Sequence, residues 1–410
     1  MSFISSIANK FGYTRYNDGS HFYQMLKGQT SFLGGKDKLQ ISLDNPVAAA
    51  CSQIRANLLS KVEWYQEGAD GERLTDTEWV KLLNKPNALQ SKQDFLIQYE
   101  WYRLAYGWTY QRPYGGVGTK VPAAVFNLNP RYVEFPQKMQ SSIIFTADDE
   151  KAFKEQKFAY EEPEQDTRSI EFNDVMMFFD IANGLTQGQN SIVTSPSRLA
   201  SVIKSVSNIN LGLDAENTII QTNGRELFSQ DTKGGNLGIQ QPMDTGDRQD
   251  IQNKLINQYN VSRGSRSIVT NKPVDWTNIS MKLKDLNFKE SGENNAKYIT
   301  QMYEVPNELY KAFTQGDTFE NQKEALIGVY EKTIQPVVDD LASTWTNHFE
   351  LDQPIRGSFD HLPVMQHTEQ KKADKLLKIA MAYEKLVTAG LSAASIEELF
   401  RGQGIELNQD

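Results

Sequence analysis

The sequence predicts an α+β protein, and three observations predict it. Apolar residues recur at helical spacing in two early segments, short strand-like runs bounded by turn residues fill the stretch 108–179, and long helical periods return after 196. Helices and strands segregated along the chain in this way form separate layers. A length of 410 residues leaves room for two or three folding units.

The first long helix is expected over 46–61, where Val47, Ala50, Cys51, Ile54, Leu58 and Leu59 share one face and Asn45 stands as N-cap. Ahead of it, Phe3, Ile4, Ile7 and Phe11 have the spacing of a short amphipathic helix. The turn Asn84-Lys85-Pro86-Asn87 leads to a second helix over 92–106 with an aromatic stripe of Phe95, Tyr99, Tyr102 and Tyr106, closed by Gly107. Strands are expected at 108–111, 123–128, 132–135, 142–146, 159–160 and 175–179. Gly115-Gly116-Val117-Gly118 reads as a turn between strands, and the acidic run 160–164 as a solvent-facing connection.

A long helix is expected over 196–220, capped by Ser195, because Leu199, Val202, Ile203, Val206 and Ile209 step by three and four. It ends at Thr222-Asn223-Gly224. A small mixed module follows, with a glycine-rich patch at 233–236, a helix over 247–259 and a strand over 266–270. A polar helix over 284–303 stops at Val305-Pro306. Gly316 and Asp317, set between Phe313 and Phe319, mark a mobile loop over 311–320. The helix over 321–349 contains Pro336, whose missing N–H predicts a kink. The tail, 367–404, reads as a helix pair hinged at Gly390, with Ser395 and Glu398 as a capping box.

Charge and composition exclude more than they assign. Lys and Arg number 43 against 52 Asp and Glu, a net charge of −9. Affinity for a polyanion grows with the phosphates neutralised, so a protein gripping nucleic acid over most of its surface is excluded. The longest apolar run, at 46–51, is far short of the ~20 residues that cross a bilayer. The first residues lack the basic stretch and apolar block of a secretion signal, so no membrane association or export is expected. Cys51 is the single cysteine and can form no intramolecular disulfide, which makes a cytoplasmic birth the default.

No motif announces chemistry. The segment 115–120 has the wrong spacing for a phosphate cradle and lies between strands. His21, His348, His361 and His367 are scattered, and neither a metal nor a cofactor is expected. Cys51 with a distant histidine offers a thiol nucleophile, but its place on the apolar stripe of an alanine-rich helix reads better as core. Ser195 lacks the glycine elbow of an α/β-hydrolase nucleophile. Lys371, Lys372, Lys375 and Lys378 form the densest basic cluster, readable as a solvated helix face or as a phosphate patch.

A series of short motifs does carry a family resemblance. In order they are Pro46-Val-Ala-Ala-Ala-Cys-Ser-Gln-Ile-Arg-Ala-Asn-Leu-Leu, Leu82-Leu83-Asn84-Lys85-Pro86-Asn87, Gln93-Asp94-Phe95, and Leu104-Ala-Tyr-Gly-Trp-Thr-Tyr110. Leu128-Asn129-Pro130, Tyr132-Val133, Asp174-Val175, Thr194-Ser195-Pro196, Tyr303-Glu304-Val305-Pro306 and the run from Tyr330 to Ile334-Gln335-Pro336 complete it. The series resembles the portal (head–tail connector) proteins of tailed bacteriophages, especially the HK97-like portals, from about residue 45 to 349. Two positions depart from the pattern: Trp108 replaces the small polar residue usual after the glycine, and 176–180 holds no histidine.

The resemblance implies a portal fold: an α/β wing (1–194 and 321–360), stem helices (195–220 and 285–304), a small α/β clip (221–284), a tunnel loop (305–320) and a C-terminal helical crown (361–410). It implies a homo-oligomeric ring, usually of twelve, at one capsid vertex of the virion, assembled in the host bacterial cytoplasm. Double-stranded DNA would pass through it without sequence specificity. Terminase large subunit, head–tail adaptor, major capsid protein and scaffold would be its partners. In those terms Lys311, Thr314, Gln315, Gly316, Asp317, Thr318 and Glu320 would line the channel. Leu199, Val202, Ile203 and Val206 would bury against neighbouring stems, and Arg263, Arg266 and Lys272 would meet terminase or adaptor. Two alternatives stay open: another ring-forming head–tail adaptor, and a Cys51-dependent hydrolase.

Overall fold

The computed structural model describes residues 13–15, 37–115, 121–136, 146–162, 166–183, 185, 191–222, 226–230, 246, 249, 274–278, 288–311, 319–366, 377, 381–383 and 385–388. A short strand, β1 (Tyr13–Arg15), precedes helices α1 (Lys38–Asp44) and α2 (Pro46–Leu59). Asn45 ends the first and caps the second, its side-chain oxygen accepting from the Val47 and Ala48 N–H groups at 3.2 and 2.9 Å. Then come β2 (Glu63–Glu67), β3 (Arg73–Leu74), α3 (Glu78–Asn84) and α4 (Lys92–Tyr106). A reciprocal Ser91–Asp94 capping box opens α4, and Gly107, at φ 90°, closes it in the left-handed conformation.

Strands β4 (Trp108–Tyr114), β5 (Ala124–Leu128) and β6 (Val133–Pro136) precede helix α5 (Ala147–Lys154), and β7 (Lys157–Tyr160), β8 (Arg168–Glu171) and β9 (Met176–Phe179) follow it. The expected 196–220 rod is two pieces, α6 (Arg198–Ser201) and α7 (Ile203–Thr222), separated at Val202. Strands β10 (Glu226–Gln230) and β11 (Val274–Asn278) come next, then α8 (Phe288–Met302), α9 (Asn307–Lys311), α10 (Phe319–Val329), a π turn (Tyr330–Ile334), α11 (Gln335–His348) and β12 (Ile355–Ser358). Every described strand pairing is antiparallel, in sheets ordered β1-β6-β7-β8, β12-β2-β3, β5-β4-β9 and β10-β11.

Three apolar cores organise these pieces. One lies between α4, α11 and the β12-β2-β3 sheet, built on Trp64, Trp79, Phe95, Tyr99, Phe178, Tyr330, Leu341 and Trp345. A chain of polar groups runs through it: Trp345 Nε1 donates to Gln111 Oε1 at 2.8 Å, Gln111 Nε2 to Asn127 Oδ1 at 3.1 Å, and Asn127 Nδ2 to the Phe95 carbonyl at 2.8 Å, while Trp64 Nε1 and Tyr99 Oη are buried without a hydrogen-bond partner among the described residues. A second core is aromatic, with Trp108, Tyr110, Phe135, Phe158 and Phe172 between the β4 and β6 sheets. The third joins α1 and α2 to the bases of α7 and α8 through Ile41, Val47, Cys51, Leu104, Leu199, Val206, Ile299 and Tyr303.

Several sequence expectations change. Ser197, not Ser195, caps α6, accepting from the Ala200 N–H at 3.1 Å. The irregularity expected at Pro336 begins earlier, as a π turn in which the Gln335 N–H donates to the Tyr330 carbonyl. The wider turn lets Pro336 enter α11 in its first turn, where no N–H needs a helical partner. The segment 305–320 is not loop throughout, since α9 follows Pro306 and α10 begins at Phe319. The N-terminal helix, the strand at 142–146 apart from Thr146, which caps α5, the strand at 266–270 and the Ser395–Glu398 box lie outside the described residues, as does 247–259 apart from Gln249.

Gly357 shows how tight the first core is. It pairs with Trp64 across β12 and β2, and an added Cβ would run into Val338 Cγ1 and lie 2.7 Å from Val62 Cγ2 and 2.9 Å from Trp64 Cζ3. Overpacking of this kind costs about 1–3 kcal/mol. Gly357→Ala is therefore expected to lower subunit stability by that amount, read as a shift in the urea midpoint at unchanged slope.

Candidate functional site

The feature that sets this fold apart is a closed circuit of charges at the root of α7 and α8. Arg55 comes from α2, Glu100 and Arg103 from one face of α4, Asp180 from the residue after β9, Arg198 from the start of α6, and Glu304 from the turn after α8. Arg55 Nε meets Glu100 Oε1 at 2.9 Å, and Arg103 Nη2 meets Glu100 Oε2 at 2.8 Å. Arg103 Nη1 reaches Asp180 Oδ1 at 2.8 Å, whose Oδ2 takes Arg198 Nε at 2.7 Å. Glu304 closes the circuit, with Oε1 at 2.9 Å from Arg198 Nη1 and Oε2 at 3.4 Å from Arg55 Nη1.

Burial decides what this circuit is worth. The side chains of Arg55, Glu100 and Asp180 are fully buried, and Arg103 nearly so, while Glu304 is 47% exposed. A single buried ion pair barely recovers its desolvation cost, but breaking one leaves an uncompensated charge and costs several kcal/mol. Burial pushes the Glu100 carboxyl up, but the Arg103 and Arg55 guanidiniums outweigh it and hold the group below the usual carboxylate range.

The arginines also cap a helix. Arg198 Nη1 donates to the Met302 carbonyl at 2.8 Å and Arg55 Nη1 to the Tyr303 carbonyl at 2.9 Å, so the negative end of α8 is held by cations from two other elements. The helix closes in a Schellman pattern, with Val305 N–H bonded to Thr300 O at 2.9 Å and Glu304 N–H to Gln301 O at 3.0 Å. That pattern puts its pivot residue in the left-handed region, where glycine is usual; here it is Glu304, at φ 54°. The cost of a side chain there, about 1–2 kcal/mol, is offset by the two arginines it bridges.

The chain entering α6 is clasped beside this circuit. Asp180 N–H donates to the Gly107 carbonyl at 2.8 Å, and Tyr110 Oη to the Val193 carbonyl at 2.7 Å. A Cβ on Gly107 would collide with the Ser195 carbonyl oxygen and come 2.7 Å from the Pro196 carbonyl carbon. The motifs around Gly107, at 194–196 and at 303–306, distant in sequence, thus meet at one junction. The sequence reading noted these segments but not their ionic partners: Arg55, Glu100, Arg103 and Arg198 have no spacing that marks them as one cluster.

Other expected sites fare differently. Leu199, Val202, Ile203 and Val206 are all buried in the subunit's own third core, packed with Ile299 and Tyr303, because α8 and α2 cover that face. Cys51 has no exposed surface, and burial pushes its thiol up to about 12, so it is a protonated core residue and the hydrolase reading loses its nucleophile. Thr314, Gln315, Gly316, Asp317 and Thr318, and Arg263, Arg266 and Lys272, lie outside the described residues. Lys311 ends α9 and Glu320 lies in the first turn of α10, with only their backbones described. Among the described residues no group of three or more His, Cys, Asp or Glu side chains could hold a metal ion, and no helix is long and apolar enough to cross a membrane.

Comparison with known proteins gives three findings. A family model described as phage portal protein matches residues 46–392. Among solved structures, a chain in the neck of an empty GTA particle computed with C6 symmetry superposes with a TM-score of 0.56 at 14% identity, covering 97% of this chain and 96% of that one. A chain in the neck of a native GTA particle computed with C12 symmetry gives 0.50 at 13% identity, covering 92% and 95%. An uncharacterized protein of Rickettsia felis is 26% identical over 113 residues, 27% of this chain, which spans 29% of that relative's length.

Glu100→Gln removes the charge that both Arg55 and Arg103 depend on, and is expected to cost about 3–5 kcal/mol of subunit stability in urea unfolding. Because the folded Glu100 carboxyl lies below its unfolded value, its contribution is fully present above the unfolded pKa near ~4.3 and is lost as pH falls through the folded value. The acid limb of the stability profile should therefore be shallower in the variant than in the wild type.

Proposed function

The chain belongs to the phage portal protein family, and from that membership we propose that its copies close into a ring at one vertex of a capsid. Double-stranded DNA is packaged and ejected through the bore of that ring. The observation that carries this reading is the extent of the family match, 46–392, which takes in every core, the charge circuit and both helices of the α7–α8 pair. The local geometry supports it: two long helices, α7 and α8, are tied to the body at one root, and the stretch 223–287 between them is proposed to lie at their far end. That far module is the surface offered to terminase during packaging and to the head–tail adaptor afterwards, with Arg263, Arg266 and Lys272 as candidate contacts. The major capsid protein and scaffold meet the body of the ring.

The electrostatics suit a conduit. Tight Lys or Arg clamps would set a barrier at each phosphate step, whereas a subunit of net charge −9 leaves the polymer free to slide. Within a screening length of ~8 Å an acidic wall also holds DNA off its surface. The segment 312–318 joins α9 to α10 and, with its flanks Lys311 and Glu320, is proposed to line the narrowest part of the bore.

Electron microscopy of the purified chain is expected to show a washer with a central hole; a 46.5 kDa species in light scattering at every concentration would remove the ring. In a packaging assay, Asp317→Lys and Glu320→Lys are expected to slow or stall DNA entry while ring formation persists. Wild-type packaging rates in both would show that the segment does not line the bore.

A further inference from the structure

The six charges at the root of α7 and α8 are not equally committed. Glu100 and Asp180 have no exposed side-chain surface, and each is held by two arginines at 2.7–2.9 Å. Glu304 also bridges two, but unevenly, at 2.9 Å from Arg198 Nη1 and 3.4 Å from Arg55 Nη1, and its side chain is 47% exposed. Its backbone stands at φ 54°, a conformation that glycine takes without strain and glutamate does not. Solvent therefore reaches the circuit at its weakest link.

The donors behind Glu304 are fixed in place. Arg55 has no exposed side-chain surface and Arg198 only 10%. Arg55 Nε is engaged by Glu100, and Nη1 by the Tyr303 carbonyl and Glu304, but Nη2 is buried and meets no acceptor among the described residues. A guanidinium is a rigid planar fork, so Nη2 stands beside the nitrogen that touches Glu304. A buried donor left unmatched is costly, and this corner holds more N–H groups than the two oxygens of one carboxylate receive. Two immobile guanidiniums with a donor to spare match an anion that carries more oxygens than a carboxylate does.

We propose that Arg55 and Arg198 form a site for a small free oxyanion of the phosphate type, which Glu304 fills from within the chain and can vacate. When Glu304 turns toward solvent, the anion takes over both arginines and Arg55 Nη2, so no buried charge is stranded. The donors are recessed behind a half-exposed side chain, which admits a free ion and not the backbone of a duplex. The same two arginines hold the Met302 and Tyr303 carbonyls, so the exchange acts on the closing turn of α8.

Thermal unfolding of the full chain in inorganic phosphate, against chloride at equal ionic strength, tests the site. Glu304→Gly removes the occupant and suits the backbone conformation. Phosphate is expected to raise the Tm of this variant saturably, by about 2–4 °C at roughly ten times the half-saturating concentration. In the wild type Glu304 competes, so the half-saturating concentration should be about tenfold higher or more. Glu304→Asn, also tolerant of positive φ, is measured alongside and carries the test if the glycine variant does not fold. A phosphate response no greater than that to chloride in either variant overturns the site. Equal responses in wild type and variants overturn the exchange, because Glu304 then does not occupy the anion's place. A short DNA duplex at the same phosphate concentration should not reproduce the rise; if it does, the ligand is a nucleic-acid backbone and the free-ion assignment falls.

Discussion

Glu100 and Asp180, two carboxylates with no solvent exposure, hold the molecule to one arrangement because each must be shared by two arginines that also have nowhere else to go. In water any of these six charges could exchange partners freely. Inside the protein the loss of one partner strands another, so the circuit is all or nothing. Its members come from five helices and turns that are not neighbours in sequence. Closing it therefore fixes the angle at which α7 and α8 leave the body, which apolar contacts alone would specify less sharply.

The three apolar cores work within that constraint. The aromatic core fastens β4 to the β6 sheet, and the Trp64–Trp345 core fastens α11 and β12 to strands from near the beginning of the chain. Gly107 and Gly357 are the points where these layers come closest, each lacking room for even one methyl group. Packing this close leaves these layers little freedom to shift against one another. Cys51, the only residue with nucleophilic promise in the sequence, serves as packing beneath α8.

Local signals were legible where they were punctuated. Asn45 and Gly107 bound their helices as cap chemistry requires, and the aromatic stripe of α4 is largely buried. Short elements were not legible: β2, β8 and β12 exist because a core or a partner strand receives them, and α1 and α3, though capped by Asp37 and Thr77, are only seven residues each, too short to show a clear period. The apolar face that begins at Leu199 was legible as a face, and within the subunit it is covered by the third core. Periodicity says that Leu199, Ile203 and Val206 will be covered; it does not say whether the cover is a second helix of the same chain or another copy.

The sequence by itself determined the class of fold, the places of its well-capped helices and, through a string of individually weak motifs, the family. These are local or compositional properties, written in neighbouring residues and their spacing. Only the tertiary structure decided that Arg55, Glu100, Arg103, Asp180, Arg198 and Glu304 are one unit and that Glu304 takes a glycine's conformation. Charges on a chain find their partners through burial, and burial is a property of the whole packed body that no stretch of sequence contains.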